Sequence, residues 1–308
     1  MNKILKHFKK NGSLYLMTLP GITVFITFCY LPMFGLILAF KKFVPGTGPG
    51  RGIFGSPFNG LKNFEFLFQG DIAWRITRNT VLYNLLFIVI DLILAIVIAI
   101  MLNELRTRFW PKVYQTVMIM PFFFSWVVIA FIAKAFLDYD SGFINGLSAV
   151  FGFEKTMWYS EVGAWPFILT FAHIWKGVGY ESIIYLAAIT GISSEYYEAA
   201  ALDGASKWKQ AIYITLPSIK PMIIILTIMA LGKIFSSDFG LFYQVPLQQG
   251  QLYPVTQTID VYVYNGLVGG GNIGMTAAAG FYQSVVGFIL VVAANYTIKK
   301  IDSDYALF

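Results

Sequence analysis

Charged residues are scarce in this chain of 308 residues. Asp, Glu, Lys and Arg together make up 12% of it, whereas a soluble domain usually carries about a quarter. Hydrophobic residues make up 57%, and 29 Phe, 18 Tyr and 7 Trp make the chain rich in aromatic side chains. A soluble core could not enclose so much apolar surface, so we expect membrane lipid to cover it. The composition predicts an integral membrane protein.

Residues that build catalytic or metal sites are also few. The one cysteine, Cys29, cannot form a disulfide within the chain. The two histidines, His7 and His173, stand too far apart in the sequence to suggest a zinc site of His and Cys. Neither a G-x-x-x-x-G-K-[ST] phosphate loop nor an H-E-x-x-H zinc motif occurs. We therefore expect no catalytic residue, no metal and no cofactor bound by this chain.

The net charge of +6 has two interpretations. It could indicate nucleic-acid binding, but in so apolar a chain it favours cytoplasmic loops enriched in Lys and Arg, and we expect no nucleic-acid partner. With the N-terminus inside, the cytoplasmic segments hold Lys3, Lys6, Lys9, Lys10, Arg106, Arg108, Lys112, Lys207, Lys209, Lys220, Lys299 and Lys300. The external segments hold Lys155 and the six basic residues of segment 41–78. Segment 41–78 disagrees with this orientation, because basic residues are expected to be cytoplasmic. Both termini are predicted to be cytoplasmic.

Six apolar stretches are long enough to cross a membrane, which takes roughly 20 residues of helix. They cover residues 14–40, 79–102, 113–137, 164–190, 219–241 and 275–298. The first belongs to an uncharged run longer than the 7–15 residues or so of a signal peptide's apolar region, so it is expected to stay uncleaved, with kinks at Pro20 and Pro32. The predicted fold is all-α: a polytopic bundle of about six transmembrane helices in a single domain, 1–308.

The most informative segment is the predicted cytoplasmic loop between spans four and five. Glu195 stands in the first turn of a short helix, where the helix dipole favours an acid. Three alanines at 199–201 favour helix and leave its surface nearly bare, and Gly204 can end it in the left-handed region. A second helix is expected over 207–215, confined by Pro217 and Pro221. Such a helix–turn–helix lets another protein's backbone approach closely.

This loop resembles the EAA loop of bacterial ABC importer permeases, the pattern E-A-A-x3-G-x9-I-x-L-P. All seven fixed positions are matched, by Glu198, Ala199, Ala200, Gly204, Ile214, Leu216 and Pro217. The resemblance implies that the loop, about 191–218, docks into a groove on a cytoplasmic ATPase subunit. Glu198 would pair with a basic residue there, Gly204 would set the angle between the helices, and Asp203 counts among the coupling residues. An ordinary hairpin between spans is the alternative.

Further segments resemble the LplB-like carbohydrate permeases, a group related to the maltose and glycerol-phosphate permeases. They are 15–21, 30–35, 39–41, 60–64, 78–80 and 258–264. The resemblance implies a type I ABC importer permease fold in the bacterial plasma membrane, importing an oligosaccharide by alternating access. It also implies a second permease of different sequence, two cytoplasmic ATPase subunits that carry the ATP and Mg²⁺, and an external solute-binding protein. A channel and a membrane-embedded enzyme acting on glycans or lipids are the alternatives.

Polar and aromatic residues within the predicted spans are candidates for substrate contact. Ionisable groups are expensive inside a membrane and usually functional, and sugars stack on aromatic rings. The candidates are Asp91 in span two; Trp126 in span three; His173, Trp175, Lys176, Tyr180 and Glu181 in span four; Lys233, Ser237 and Asp238 in span five; and Tyr282 and Gln283 in the last span.

The residues themselves leave their roles open. Asp91 suits a sugar hydroxyl or a hydrogen bond to another helix, and the charged residues of span four suit substrate contact or pairing between helices. Lys233, Ser236 and Ser237 are spaced to form one polar stripe on a helix, which would line a cavity or lie near the external surface. The aromatic run that ends at Trp126 suits lipid contact or packing as well as a sugar platform.

Overall fold

The structure, a computed structural model, describes residues 11–46, 48–68, 70–105 and 109–301. The α-helices are α1 Gly12–Phe25, α2 Gly52–Gly55, α3 Ile72–Asn103, α4 Phe109–Ile119, α5 Trp126–Leu137, α6 Phe143–Val150, α7 Trp165–Thr190, α8 Ser194–Leu202, α9 Lys207–Gln210, α10 Leu216–Leu231, α11 Phe239–Gln244, α12 Tyr253–Thr256, α13 Ile259–Val268 and α14 Ile273–Ile301. Ile26–Tyr30 and Ala211–Thr215 are π-helical. The 3₁₀ segments are Leu31–Phe40, Lys62–Leu67, Met120–Phe123, Trp158–Ser160, Val162–Ala164 and Gly250–Leu252. Of the basic residues behind the predicted orientation, Lys3, Lys6, Lys9, Lys10, Arg106 and Arg108 lie outside the described residues.

The chain divides into two compact units: Met1–Gly70 with Val263–Tyr282, and Asp71–Tyr262 with Gln283–Phe308. In the first unit, the Asn63 side-chain amide donates hydrogen bonds to the carbonyls of Ala39 and Lys41, at 3.0 and 2.8 Å. This amide satisfies carbonyls that the end of the first apolar helix leaves open. The prediction of one domain over 1–308 stays a prediction.

The second unit is built on α3 and α7, whose packing forms two hydrophobic clusters. One surrounds Trp165 and Phe242, both almost completely buried. The other joins Ala95 and Ala99 of α3 to the ends of α7 and α10, including Ile219. Small residues let helices approach closely, so the two alanines fix α3 beside the segments that flank the α8–α9 loop.

Four helical stretches within the described residues are long and apolar enough to cross a membrane: Gly12–Phe40, Ile72–Asn103, Lys207–Leu231 and Ile273–Tyr296. Phe109–Phe123 and Trp126–Leu137 make a fifth span if they are counted together, although they meet at a bend of 99°. The predicted fourth span, 164–190, is present as α7, a continuous helix of 26 residues. Its His, Lys and Glu residues lower its hydropathy below that of these four stretches.

The predicted fifth span, 219–241, is wrong at its C-terminal end. Helix α10 ends at Leu231, and α11 begins only at Phe239. Asp238 defines that new start, because its side chain accepts hydrogen bonds from the backbone of the first turn of α11. The stripe predicted for Lys233, Ser236 and Ser237 is therefore wrong, since these residues lie in the non-helical connection.

The prediction that Pro217 and Pro221 confine the second loop helix is also wrong, and Pro221 lies inside α10. The chain stays helical from Lys207 to Leu231, and Pro217 lies in the first turn of α10. A proline inside a regular helix removes a hydrogen bond and collides with the preceding turn. Here the π-helical turn Ala211–Thr215 immediately precedes it, and this wider turn accommodates the ring.

Candidate functional site

The first helix of the loop has a defined end at each terminus. At its start, the Ser193 hydroxyl accepts a hydrogen bond from the backbone of Glu195 at 3.3 Å. At its end, the Ala205 N–H donates to the Ala200 carbonyl at 2.9 Å, the bond that defines a Schellman motif. Gly204 has φ of +78°, so the prediction that it ends the helix in the left-handed region is confirmed.

Side chains then hold the two loop helices together. Ser206 caps the start of α9, and the Gln210 side chain donates to the Ala205 carbonyl at 3.2 Å. The hydroxyls of Tyr197 and Thr215 lie 2.9 Å apart. These bonds join α8 to the far end of the π-helical turn, so the helix–turn–helix predicted from the sequence is confirmed and its two helices are fixed to each other.

One face of the loop is open. Glu198, Ala199, Asp203 and Gly204 are exposed, and Ala200 is half-buried. Two large apolar side chains that the sequence analysis did not single out stand beside them: Leu202 is 90% exposed and Trp208 is 75% exposed. Large apolar residues in a loop expected outside the membrane are the sequence signal that would have identified them. Exposed apolar patches of this kind mark protein contacts.

The second half of the motif lies against the helices of the unit. Leu216 packs against the cluster that contains Ala99 and Ile219, and Ile214 is half-buried. Pro217, at the start of α10, is exposed. Ile214 and Leu216 are thus positioned to anchor the loop, whereas the first half of the motif is presented outward.

A hydrogen-bonded pair of polar side chains lies between α3 and α7. His173 Nε2 is 2.8 Å from Asp91 Oδ2, and the imidazole stacks on the Phe87 ring with centroids 3.8 Å apart. The other oxygen, Asp91 Oδ1, is buried and has no hydrogen-bond partner among the described residues. Glu181, also on α7, interacts electrostatically with both members of the pair. Asp91 therefore bonds to another helix, one of the two roles the sequence left open, and its second oxygen is buried without a partner among the described residues.

A second constellation surrounds the 99° bend between α4 and α5. Lys176 of α7 donates hydrogen bonds to the carbonyls of Phe122 and Phe124, at 2.7 and 2.6 Å. The Tyr180 ring stacks on Phe122 with centroids 4.4 Å apart. The Trp126 indole N–H donates to Asp238 Oδ2 at 2.9 Å. Four of the predicted candidates are thus brought together at the bend.

A third group lies where α10 gives way to the connection. The Ser237 backbone and hydroxyl both donate to Asp260 Oδ2 at 2.7 Å, and the Gln283 amide donates to Asp260 Oδ1 at 3.1 Å. Asp260, which joins two of the candidates, was missed, because nothing in its local sequence places it beside them. Lys233 is exposed, and Tyr282 belongs to the other compact unit.

Trp175 is separated from these polar groups. It lines an apolar cavity of about 620 Å³, bounded by side chains of α5, α6 and α7 and by Val245. A wall of this kind offers no hydrogen bond to a hydroxyl, so the surroundings of Trp175 favour packing over contact with a sugar.

Comparisons with known proteins agree with this architecture. A family model described as the inner membrane component of binding-protein-dependent transport systems matches residues 72–303. The polygalacturonan/rhamnogalacturonan transport system permease protein YteP of Bacillus subtilis (strain 168) is 35% identical over 94% of this chain and 89% of its own length. Protein LplB of the same organism is 33% identical over 96% of this chain and 91% of its own.

A solved structure is similar over the same extent. It is a crystal structure of a bacterial alginate ABC transporter in complex with an alginate pentasaccharide-bound periplasmic protein. One of its chains matches with a TM-score of 0.85 and 31% identity, covering 96% of this chain and 97% of that chain. The resemblance to ABC importer permeases and the all-α membrane fold are both confirmed. The chain belongs to the family of inner membrane components of binding-protein-dependent transport systems, and it is a transporter subunit, not an enzyme.

Proposed function

We propose that this chain is the permease subunit of an ATP-driven importer that moves an oligosaccharide into the cytoplasm by alternating access. The exposed half of the α8–α9 loop carries the proposal: Glu198 and the alanines face outward on a helix whose end is fixed by Gly204. The transport proteins it is similar to are named for polygalacturonan, rhamnogalacturonan and alginate, which supports a carbohydrate substrate.

The same proposal assigns the partners. A second permease completes the translocation path, a solute-binding protein delivers the sugar from outside, and two cytoplasmic ATPase subunits hold the ATP and Mg²⁺. No cofactor is assigned to this chain. Both of its termini are proposed to be cytoplasmic, because this topology puts the loop on the same side of the membrane as the ATPase subunits.

In this function the two halves of the loop have different roles. Glu198, Ala199, Ala200, Asp203 and Gly204 contact the ATPase subunit, while Ile214, Leu216 and Pro217 join the contact to α10. Glu198 supplies a charge-assisted hydrogen bond worth about 1.5–3 kcal/mol. The exposed apolar side chains of Leu202 and Trp208 extend the contact beyond the motif.

Substrate contacts are proposed on the polar groups of the spans. Asp91 has one carboxylate oxygen without a hydrogen-bond partner among the described residues, and Glu181 and Tyr180 lie on the same helix as its partner His173. Carboxylates accept hydrogen bonds from sugar hydroxyls, and the stacked rings of Tyr180 and Phe122 offer an aromatic surface.

The coupling role is tested by Glu198→Ala in a complex reconstituted into vesicles with its partner permease, ATPase subunits and binding protein. We expect ATP-dependent oligosaccharide uptake to fall at least tenfold, because the loop loses its charged contact. Glu195→Ala, a matched change one turn away on α8, should keep most of the uptake. Wild-type uptake and sugar-stimulated ATP hydrolysis by Glu198→Ala would contradict the coupling role.

A further inference from the structure

The bend between α4 and α5 leaves backbone groups without partners inside an apolar part of the chain. Regular hydrogen bonding stops at the 3₁₀ segment Met120–Phe123, and α5 begins again only at Trp126. The last carbonyls of any helix have no partner within it. In a membrane there is no water to bond to them, so an interrupted span must satisfy them with protein groups.

Lys176 of α7 supplies these bonds. Its ammonium donates to the carbonyls of both Phe122 and Phe124, one on each side of the last 3₁₀ residue. The nitrogen also lies 5.5 Å from the centre of the Phe122 ring and 5.3 Å from that of Trp126, within the range of a cation–π contact. The contacts of the Lys176 ammonium are therefore made with the broken span.

The same contacts reach α11. Trp126, whose ring faces the ammonium, donates its N–H to Asp238, and Asp238 caps the first turn of α11. The Trp126 ring also packs directly against Gly240 of α11, because a Cβ at that position would collide with the ring. Lys176, Trp126 and Asp238 thus form one chain of contacts from α7 through the start of α5 to the start of α11.

On its other side, the bend is seated directly on α7. A Cβ at Gly179 would collide with the carbonyl of Met118, at the end of α4. Helix α7 continues from there to Thr190, and α8 of the loop begins at Ser194. A displacement of the loop therefore moves the helix on which the bend is fastened.

We propose that Lys176 is a positioning residue for transport: it fastens the broken span and the start of α11 to α7, so that these elements move with the helix that leads into the loop. The assignment uses only contacts within this chain and holds whatever sugar is carried. It differs from direct substrate contact, because the ammonium acts through the backbone of Phe122 and Phe124 and through Trp126.

The test measures the bend and transport separately. Since Cys29 is the one cysteine of the chain, Cys29→Ser gives a background in which Val117→Cys on α4 and Phe131→Cys on α5 carry spin labels; both positions are exposed. The distance between the labels is measured by pulsed electron paramagnetic resonance in the assembled complex with cysteine-free partner chains. Uptake is measured over a range of sugar concentrations.

In Lys176→Met we expect a broadened or shifted distance distribution and maximal uptake reduced at least tenfold, with the KM for sugar unchanged. Lys176→Arg keeps the cation and its donors and should retain the wild-type distances and most of the uptake. Lys176→Gln, which loses the charge but remains polar, replaces the Met variant if that variant fails to assemble. Unchanged distances with a raised KM would make Lys176 a sugar ligand and overturn the proposal. Unchanged distances and uptake would overturn it as well.

Discussion

At the scale of single residues, three ionisable groups within the helices of the second unit have fixed partners. Asp91 is paired with His173, Lys176 with two carbonyls, and Asp260 with Ser237 and Gln283. Glu181 differs: it is half-buried beside the Asp91–His173 pair, and among the described residues its carboxylate has no hydrogen-bond partner. A hydrogen-bonding group held in this way is suited to a ligand's hydroxyl.

We expect Glu181→Gln to raise the KM for the transported sugar by roughly two- to tenfold, because the variant loses a carboxyl oxygen and a hydrogen bond contributes about 0.5–1.5 kcal/mol. Uptake by the reconstituted complex over a range of sugar concentrations measures the change. Glu161→Gln makes the same change at an exposed residue before α7 and should leave KM unaltered. An unchanged KM with a lower melting temperature would instead assign Glu181 to packing beside Asp91.

At the scale of elements, the apolar stretches could be predicted and their interruptions could not. Runs such as α3 and α14 are long and uniform enough for hydropathy alone to identify them. The end of α10 was misplaced because the hydrogen bonds that Asp238 accepts from the backbone of the next helix, which start a new element there, leave no clear sign in the local sequence. The 99° bend has Pro121 as a local sign, but its direction depends on Lys176, far away in sequence.

In the coupling loop, too, one feature could be predicted from the sequence and another could not. Its turn at Gly204 could be predicted, because a left-handed residue ending a helix is a local property of the chain. The continuation of the helix through Pro217 could not, because it depends on the π-helical turn Ala211–Thr215 and on the packing of Leu216 against α3 and α7. Likewise, the grouping of Trp126, Lys176 and Asp238 arises only when three elements meet.

The seating of α4 on α7 leads to a prediction at this scale. Gly179→Ala would force its Cβ against the Met118 carbonyl, whereas Gly177, two residues earlier on the same helix, has nothing within 4 Å of a Cβ. We expect Gly179→Ala to lower the free energy of unfolding by about 1–3 kcal/mol, the usual cost of overpacking. Gly177→Ala should be neutral or slightly stabilising, because alanine favours helix. Melting temperatures of the two variants in the same detergent measure the difference. Equal melting temperatures would show that α4 and α7 do not approach as closely as this.

At the scale of the whole molecule, large apolar side chains remain exposed along entire helices, and lipid and partner subunits must cover them. Almost every side chain of α1 is exposed, for example Met17 at 79%. Several basic residues, by contrast, lie near the ends of the spans and in the loops. Within the described residues they include Lys207 and Lys209 in the loop and Lys299 and Lys300 in the last turn of α14. Because Lys and Arg near the ends of spans are retained in the cytoplasm, these residues favour the loop and the C-terminal end of α14 on the cytoplasmic side.

This orientation predicts where a membrane-impermeant maleimide can react. In the Cys29→Ser background, Lys155→Cys should be labelled in intact protoplasts, because it lies in the connection between α6 and α7, expected outside. Lys209→Cys, the same change in the exposed α9, should be labelled only after the membrane is permeabilised. Cys29→Ser alone is the control and should not react.

Segment 41–78 makes the experiment decisive, because its six basic residues oppose the orientation that the other loops favour. Lys62→Cys, in the exposed part of that segment, should react from outside together with Lys155→Cys, since a single apolar helix, Gly12–Phe40, separates it from the N-terminus. If Lys62→Cys and Lys155→Cys were protected while Lys209→Cys reacted in intact protoplasts, the exposed face at Glu198 would lie outside the cell. No cytoplasmic ATPase could then reach it, and the coupling role proposed for the loop would fail.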